Sequence, residues 1–346
     1  MQNTESSFEL ITVQSSPVVN FYSPSTDSVK EMAIRILAEV MKFRRTPKSH
    51  QPCGDEKCSH CSSYHLPKII EAVEKNEPVT FVLPAFPGKS PNPRKVLGAL
   101  PDHAERLSLA FLGNLCERIK EYYLPGIKII ICSDGRVFSD VVGMKESDVT
   151  AYQIELDNMI EEMSLNDIST FNLDDYYGGI DFVEMRDHLM DIYGKSVDSL
   201  KEKVKKGAKP GATPEELEAN RMYCGITRFL FEDAVHPGQT KSRAAVQREA
   251  RAKSYEVIRR SNAWTELIAE YFPQAVRLSI HPQVCGSKKL GIRLIANESW
   301  MTPWHGVAVE TDEGFVLMKR FQAEDLGAKL VYSSNGRPSH FTLVKD

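Results

Sequence analysis

Residues 102–136, DHAERLSLAFLGNLCERIKEYYLPGIKIIICSDGR, contain the pattern that decides the fold of this chain. Apolar side chains such as Leu107 and Phe111 recur there at intervals of three and four residues, which predicts a helix over about 102–123. The apolar run IKIIIC at 127–132 then predicts a buried strand, and the polar residues SDGR follow where that strand ends. A long helix that leads into such a strand is typical of a parallel sheet with helices packed on it.

The same alternation continues on both sides of this segment. We expect a helix over about 66–76 and a strand over about 79–83 before it. After it we expect a helix over about 146–163 and a weaker strand, ISTFN. Strands that alternate with helices predict an α/β fold: a Rossmann-like parallel sheet core with helices on both faces.

The rest of the chain divides into regions of different character. Strand patterns vanish in 174–272, where the sequence is helical with a Lys-, Gly- and Pro-rich interruption near 205–213. Short apolar runs return after about 275 and predict antiparallel strand pairs, added to the sheet or packed beside it. We therefore predict four regions: a flexible N-terminal arm at 1–24, the Rossmann-like region at 25–173, a helical insertion at 174–272, and a C-terminal β-rich region at 273–346 that completes the catalytic domain.

Composition excludes several classes of protein. The chain has 346 residues, a net charge of −4 and 42% hydrophobic residues, which is ordinary for a globular protein and argues against nucleic acid as a partner. No apolar run approaches the length of about 20 residues that spans a membrane, and no signal peptide is visible at the N-terminus. The seven cysteines are an odd number and four are scattered singly, which favours a reducing compartment, the cytoplasm.

A proline-rich segment, PAFPGKSPNPRK, follows the strand predicted at 79–83. Prolines stiffen the backbone, and ligands bind at the carboxyl ends of parallel strands. Lys89, Ser90, Asn92 and Lys95 are therefore candidates to bind a phosphate, although the segment lacks the spacing of a P-loop. A solvated crossover loop explains the same residues equally well.

A second polar loop, CSDGRVFSD, is expected after the next strand. Asp134 and Arg136 flank a glycine there and could orient an amino group or a sugar hydroxyl. A turn aspartate that forms a salt bridge with the arginine is the simpler interpretation of either residue alone.

The C-terminal region and the helical insertion add further candidates. His281 and His305 are predicted at strand ends, where histidines are natural general acids and bases, with Trp304 and Glu310 close by in sequence. Each histidine could instead be structural. In the insertion, the seven-residue spacing of two arginines places them on one helix face, either solvated or forming an anion-binding wall; these are Arg221 and Arg228.

One cluster has spacings that zinc can use. Cys53, Cys58, Cys61 and His65 form the pattern C-x4-C-x2-C-x3-H, which resembles a zinc knuckle only loosely. Reduced cysteines that bind no metal are the preferred interpretation of this cluster.

Four phrases resemble a known family. FVLPAFPGKSPNPRKVLGALPDHAERLSL, ICSDGRVFSDVVG, LSIHPQ and TPWHGVAVE are similar to the pyoverdine/dityrosine biosynthesis family, the isocyanide (isonitrile) synthases, and the similarity runs from about residue 60 to the C-terminus. The resemblance implies that the α-amino group of an aromatic amino acid becomes an isonitrile. It also implies ribulose 5-phosphate as the carbon donor, no cofactor, and a partner Fe(II)/2-oxoglutarate-dependent oxygenase that receives the product.

The resemblance suggests roles for the candidate residues. Lys89, Ser90, Asn92 and Lys95 would hold the phosphate or the sugar hydroxyls; His281, His305, Asp134 and Glu310 would move protons; Arg136 and either Arg221 or Arg228 would bind the amino acid carboxylate; Trp304 would form a pocket wall or core. Polar groups in the expected pocket favour L-tyrosine over L-tryptophan as substrate. Two other hypotheses remain: a different phosphosugar-dependent lyase or transferase, and a zinc-stapled adaptor protein.

Overall fold

The computed structural model describes residues 26–47, 59–296, 299 and 301–344, so the predicted N-terminal arm lies outside the described residues. The helices of the described part are α1 (Thr26–Met41), α2 (Ser59–Ser62), α3 (Leu66–Glu74), α4 (His103–Lys120), α5 (Gly135–Val142), α6 (Glu146–Glu162), α7 (Leu173–Tyr176), α8 (Phe182–Tyr193), α9 (Val197–Gly207), α10 (Pro214–Ala234), α11 (Arg243–Tyr271) and α12 (Arg320–Asp325). The strands are β1 (Val79–Leu83), β2 (Ile127–Cys132), β3 (Ile168–Phe171), β4 (Val276–Ser279), β5 (Leu290–Gly291), β6 (Val307–Thr311), β7 (Gly314–Met318), β8 (Lys329–Tyr332) and β9 (Pro338–Thr342).

The predicted Rossmann-like sheet is confirmed. Five strands lie in the order β3-β2-β1-β4-β5, and every neighbouring pair is parallel. The central strands β1 and β2 are almost wholly buried, which explains their continuous apolar sequences. Because the strands are parallel, their carboxyl ends all lie at one edge of the sheet, where such folds bind ligands.

Helix α4 shows how the sequence specifies these elements. Asp102 and Glu105 form a reciprocal capping box at its N-terminus, and its inward side chains pack in the main core against β1 and β2. The helix expected at 102–123 is therefore observed at His103–Lys120. The start of α5 was not predicted, because SDGR was interpreted as a loop.

The region between β3 and β4 is helical, as predicted, and residues 173–271, all of which the structure describes, contain no strand. Helix α11 packs along α5 and α8, and its Trp264 donates an indole hydrogen bond to the Cys132 carbonyl at the end of β2. No helix in the described part of the chain has the length and apolar character needed to cross a membrane.

The prediction for the C-terminal strands was partly wrong. Strands β4 and β5 extend the main sheet in parallel, whereas antiparallel pairs occur in a second sheet of order β7-β6-β9-β8. Within that second sheet, β6 and β9 pair in parallel. The error arose because a short apolar run does not indicate whether the strand pairs in parallel or antiparallel with its neighbour. That direction is set by the path of the chain through the helical region before β4.

Candidate active site

The candidate site lies at the carboxyl edge of the main sheet. The proline-rich loop follows β1, Asp134 follows β2, and His281 follows β4. Three of the sequence-predicted segments therefore meet at this edge, as the topology requires.

Asp134 is a carboxyl group with a strongly raised pKa at this edge of the sheet. It occupies the N-cap position of α5 but makes no capping hydrogen bond, and its Oδ1 atom is buried without a hydrogen-bond partner. Burial raises the pKa of Asp134 to about 7, against smaller lowering effects of a backbone hydrogen bond and of Arg277. The proline-rich loop passes close to the start of α5, which requires glycine at residue 135. A Cβ atom there would lie only 1.9 Å from the Pro87 carbonyl oxygen.

Arg277, which sequence reasoning missed, is the neighbouring cation. It lies on β4 and donates hydrogen bonds to the Leu278 carbonyl and the Thr265 hydroxyl, while its Nε atom is buried without a partner. Burial lowers the pKa of Arg277 to about 10, which still leaves it charged at neutral pH. The available signal was an arginine within the otherwise apolar strand AVRLSI.

The structure brings His281 and His305 into one neighbourhood. Desolvation of the ring and the charges of Arg45, Lys289 and Arg277 lower the pKa of His281 to about 4, although the residue as a whole is exposed. Burial also lowers the pKa of His305 to about 4, and a positive charge on His281 would lower it further. Both rings are therefore neutral at pH 7, and each can accept a proton.

His305 is held by groups from three parts of the chain. Its Nδ1 atom lies 3.0 Å from the Thr302 hydroxyl, its ring packs against Phe229 of α10, and its Nε2 atom lies 4.0 Å from Asp233 Oδ2. Asp233 was also missed by sequence reasoning. Its Oδ1 atom accepts hydrogen bonds from the Ser90 hydroxyl at 2.6 Å and from the Lys95 ammonium, which joins the proline-rich loop to α10.

The ammonium of Lys89 is paired within the protein. Its side chain is fully buried, and its ammonium lies 2.9 Å from Asp102 and 2.7 Å from Glu105. Burial opposes the charge on Lys89, but the two carboxylates outweigh this effect and raise its pKa. The hydroxyl of Tyr152 donates to Glu105, which extends the buried network. The ammonium that was predicted to contact a phosphate is thus paired here with two carboxylates at the start of α4.

The other three residues predicted to bind phosphate are likewise engaged within the protein. Ser90 and Lys95 contact Asp233, and the Asn92 amide donates to the carbonyls of Glu232 and Val235. These side chains are all at most 6% exposed. The prolines therefore stiffen a loop whose polar groups dock it onto α10, rather than one that presents them to solvent.

Trp304 is a core residue that fixes the same loop. It is 2% exposed and packs on Phe86, whose backbone is left-handed at φ 57°. The Ser90 amide donates to the Trp304 carbonyl at 2.8 Å. Because His305 follows Trp304 directly, these contacts also place the histidine.

The remaining candidates lie apart from the histidines. Arg136 is stacked on Phe182 and pairs with Asp174 at 2.7 Å, rather than with the turn aspartate Asp134 as the salt-bridge interpretation expected. Arg221 and Arg228 are exposed on α10. Glu310 lies in the second sheet, where its carboxylate is 3.9 Å from the Nε2 atom of His340. The structure therefore groups Asp134, His281 and His305 with Arg277 and Asp233, and leaves these four predicted residues outside that group.

Two cavities flank the proline-rich loop, with volumes of about 380 and 410 Å³. The first reaches Asp233, and the second is lined by Lys89, Ser90 and the segment that joins α5 to α6. Neither is lined by Asp134, His281 or His305. We place the site at the strand ends because the groups with shifted pKa values and unpaired buried atoms gather there.

Part of the candidate zinc cluster lies outside the described residues, namely Cys53 and Cys58. Cys61 is buried and lies beside Cys285, whereas the buried His65 is hydrogen-bonded to the Ser287 backbone. Among the residues that the structure describes, no three His, Cys, Asp or Glu side chains form a metal-binding group.

Comparison with known proteins gives consistent results. The family model described as pyoverdine/dityrosine biosynthesis protein matches residues 69–331. The L-tryptophan isonitrile synthase AmbI2 of Fischerella ambigua is 45% identical over 91% of this chain and 93% of its own. An L-tyrosine isonitrile synthase of Pseudomonas aeruginosa is 44% identical over 89% and 93%. The crystal structure of PvcA from Pseudomonas aeruginosa has a TM-score of 0.83 at 44% identity, covering 90% of this chain and 100% of that one.

Proposed function

This chain belongs to the pyoverdine/dityrosine biosynthesis family, and we propose that it is an isonitrile synthase. Its substrate is L-tyrosine, whose α-amino group becomes the isonitrile, and ribulose 5-phosphate donates the carbon. The observation that carries this proposal is an identity of 43 to 45% along nearly the whole chain with four proteins named as isonitrile synthases.

The groups at the strand ends suit the proton transfers of this reaction. The amine must lose protons before it attacks the sugar ketone, and a hydroxyl must gain one before it leaves. A carboxyl group with a pKa near 7 can act in either direction at neutral pH, which is the property of Asp134. The neutral rings of His281 and His305 accept protons on the same edge of the sheet.

Arg277 binds the amino acid carboxylate in this proposal. It is a guanidinium next to Asp134, and its Nε atom is buried without a hydrogen-bond partner in the described structure. A carboxylate pairs with a guanidinium through two parallel hydrogen bonds, which would satisfy that atom. The contact would place the α-amino group close to Asp134. Arg136, proposed earlier for this role, already pairs with Asp174.

The comparisons do not separate tyrosine from tryptophan, because relatives named for both substrates have nearly equal identities. We retain L-tyrosine because His305 offers a polar partner for a phenol beside the aromatic ring of Phe229, which packs against it. A site built to bind a hydroxyl rejects the analogue that lacks it, in favourable cases by about 10⁴-fold.

The experiment is a competition among L-tyrosine, L-tryptophan and L-phenylalanine, each with ribulose 5-phosphate, with the isonitrile products separated by mass. We expect the phenol isonitrile to predominate and phenylalanine to be used poorly. A predominant indole product would reassign the substrate to tryptophan. Equal use of phenylalanine would contradict a hydroxyl-binding pocket.

Two consequences belong to the same proposal. The reaction cleaves a carbon–carbon bond of the sugar phosphate, which makes the enzyme a carbon–carbon lyase. The isonitrile then passes to an Fe(II)/2-oxoglutarate-dependent oxygenase. A different phosphosugar-dependent lyase or transferase is the alternative, and it predicts consumption of ribulose 5-phosphate without an isonitrile product.

A further inference from the structure

Two cysteines from distant parts of the chain meet in the main hydrophobic core. The sulfur atoms of Cys61, in α2, and Cys285, in the loop after β4, lie 3.1 Å apart, although 224 residues separate them in sequence. Cys61 is buried and Cys285 is partly buried. Neither residue has a part in the reaction proposed above, so this contact requires another explanation.

Two kinds of chemistry bring thiols this close. A disulfide bond requires a sulfur–sulfur distance of about 2.05 Å. Two thiolates on one tetrahedral zinc ion, each about 2.3 Å from the metal, lie about 3.8 Å apart. The observed 3.1 Å lies between these values, and a shift of about 1 Å or less would reach either of them.

The sequence favours the metal. Cys53 and Cys58 precede Cys61 in the pattern C-x4-C-x2-C, so the short stretch that contains Cys61 offers thiols in addition to the contacting pair. A disulfide uses two cysteines, whereas a structural zinc ion commonly takes four. Cys53 and Cys58 lie outside the described residues, and the contact between Cys61 and Cys285 carries the structural argument.

We propose that Cys61 and Cys285 are ligands of a structural zinc ion that ties α2 to the loop after β4. The His65 ring is buried and already hydrogen-bonded to the Ser287 backbone, so it is not available to the metal.

The location gives the ion a structural purpose. Cys285 lies four residues after His281, in a loop that contacts the chain elsewhere through the Gln283 amide, which donates to the Arg45 carbonyl at 3.0 Å. A zinc ion would add a strong cross-link to the loop that follows the candidate histidine. Since the metal binds the folded chain, it would also add to the free energy of unfolding. Such an ion supports an enzyme's fold and does not favour the adaptor hypothesis.

The test is the metal content of the full-length chain, purified without chelators and measured by elemental mass spectrometry. We expect about one zinc ion per chain, and loss of most of it in C61S and C285S. X-ray absorption at the zinc edge should show sulfur ligands at about 2.3 Å. This second measurement uses the unaltered chain, so the proposal is tested even if a variant fails to fold.

Two matched variants serve as controls. C224S removes a cysteine exposed on α10, and H65A removes the histidine of the original pattern; both should retain zinc. Wild-type chain that contains no zinc and takes up none when zinc is supplied would overturn the proposal. So would an intact mass 2 Da lower because of a Cys61–Cys285 disulfide, or loss of zinc from H65A with retention in C285S.

Discussion

Asp233 Oδ2 lies 4.0 Å from His305 Nε2, while its other oxygen accepts hydrogen bonds from two residues of the proline-rich loop. One buried carboxylate thus joins the stiff loop after β1, the end of α10 and the candidate general base. Asp233 is a positioning residue: its negative charge favours the protonated form of His305 and raises the pKa of that ring, within an overall lowering caused by burial.

The first prediction concerns D233N. Loss of the carboxylate should lower kcat roughly tenfold or more, because His305 loses its nearby anion. The pKa of His305 should fall further, so the acid limb of the kcat/KM profile should move to lower pH. A profile that keeps its acid limb in place would show that Asp233 does not act on the histidine.

Stability provides the control for that variant. D233N leaves the buried Lys95 ammonium without its carboxylate, which should lower the free energy of unfolding by about 3–5 kcal/mol. The double variant K95M/D233N removes both charges and should recover much of that loss without recovering kcat. Recovery of both would assign Asp233 a purely structural role.

The second prediction concerns Lys89, which we first expected to bind the phosphate. K89M should lower the free energy of unfolding by about 3–5 kcal/mol, because it leaves Asp102 and Glu105 buried without their cation. In protein that remains folded, the KM for ribulose 5-phosphate should change less than threefold. Denaturant unfolding and steady-state kinetics measure the two effects. A large rise in the sugar KM with unchanged stability would restore the original assignment.

The third prediction concerns D134N. Asp134 has a folded-state pKa of about 7, above the ordinary 3.8, so it opposes folding increasingly as pH rises through this range. The asparagine variant should lose at least 10²-fold in kcat yet gain about 1 kcal/mol in unfolding free energy at pH 8. The gain should shrink at pH 5. A variant that is destabilised at pH 8 would indicate that the carboxylate has a partner.

The fourth prediction concerns acid stability. His65, His281 and His305 all have a pKa of about 4 in the folded chain against an ordinary 6.5. Groups of this kind contribute stability above pH 6.5 that is lost as pH falls toward 4. H65Q and H305Q should each flatten the decline of unfolding free energy between pH 6.5 and 4.5 relative to wild type. Urea unfolding across that range provides the test, and parallel curves would contradict the shifted pKa values.

Local patterns were enough to predict the parallel sheet. The strand at 79–83 and the strand at 127–132 are continuous apolar runs separated by a strongly periodic helix, and both were found at the predicted residues. Periodicity reports which side chains are buried, and in a parallel sheet this is nearly the whole pattern. It does not report pairing direction, which is why β4 and β5 were assigned wrongly.

The polar residues of the proline-rich loop were harder to interpret for a physical reason. Cations at the end of a parallel strand suit a phosphate, but whether they are available depends on anions elsewhere in the chain. The partner of Lys95 is Asp233, 138 residues away, and no local pattern links the two. Asp134 and His281 were predicted as candidates because each follows a strand of the parallel sheet, whereas His305 precedes β6 of the second sheet and is positioned by contacts with Thr302 and Phe229.

Isotope transfer tests the central claim most directly. The chain is incubated with ¹⁵N-labelled L-tyrosine and uniformly ¹³C-labelled ribulose 5-phosphate, and the product is examined by mass spectrometry and by ¹³C nuclear magnetic resonance. An isonitrile synthase must give a product whose isonitrile nitrogen is ¹⁵N and whose isonitrile carbon is ¹³C, with coupling between the two nuclei. Absence of an isonitrile, or an isonitrile carbon without label, would contradict the account.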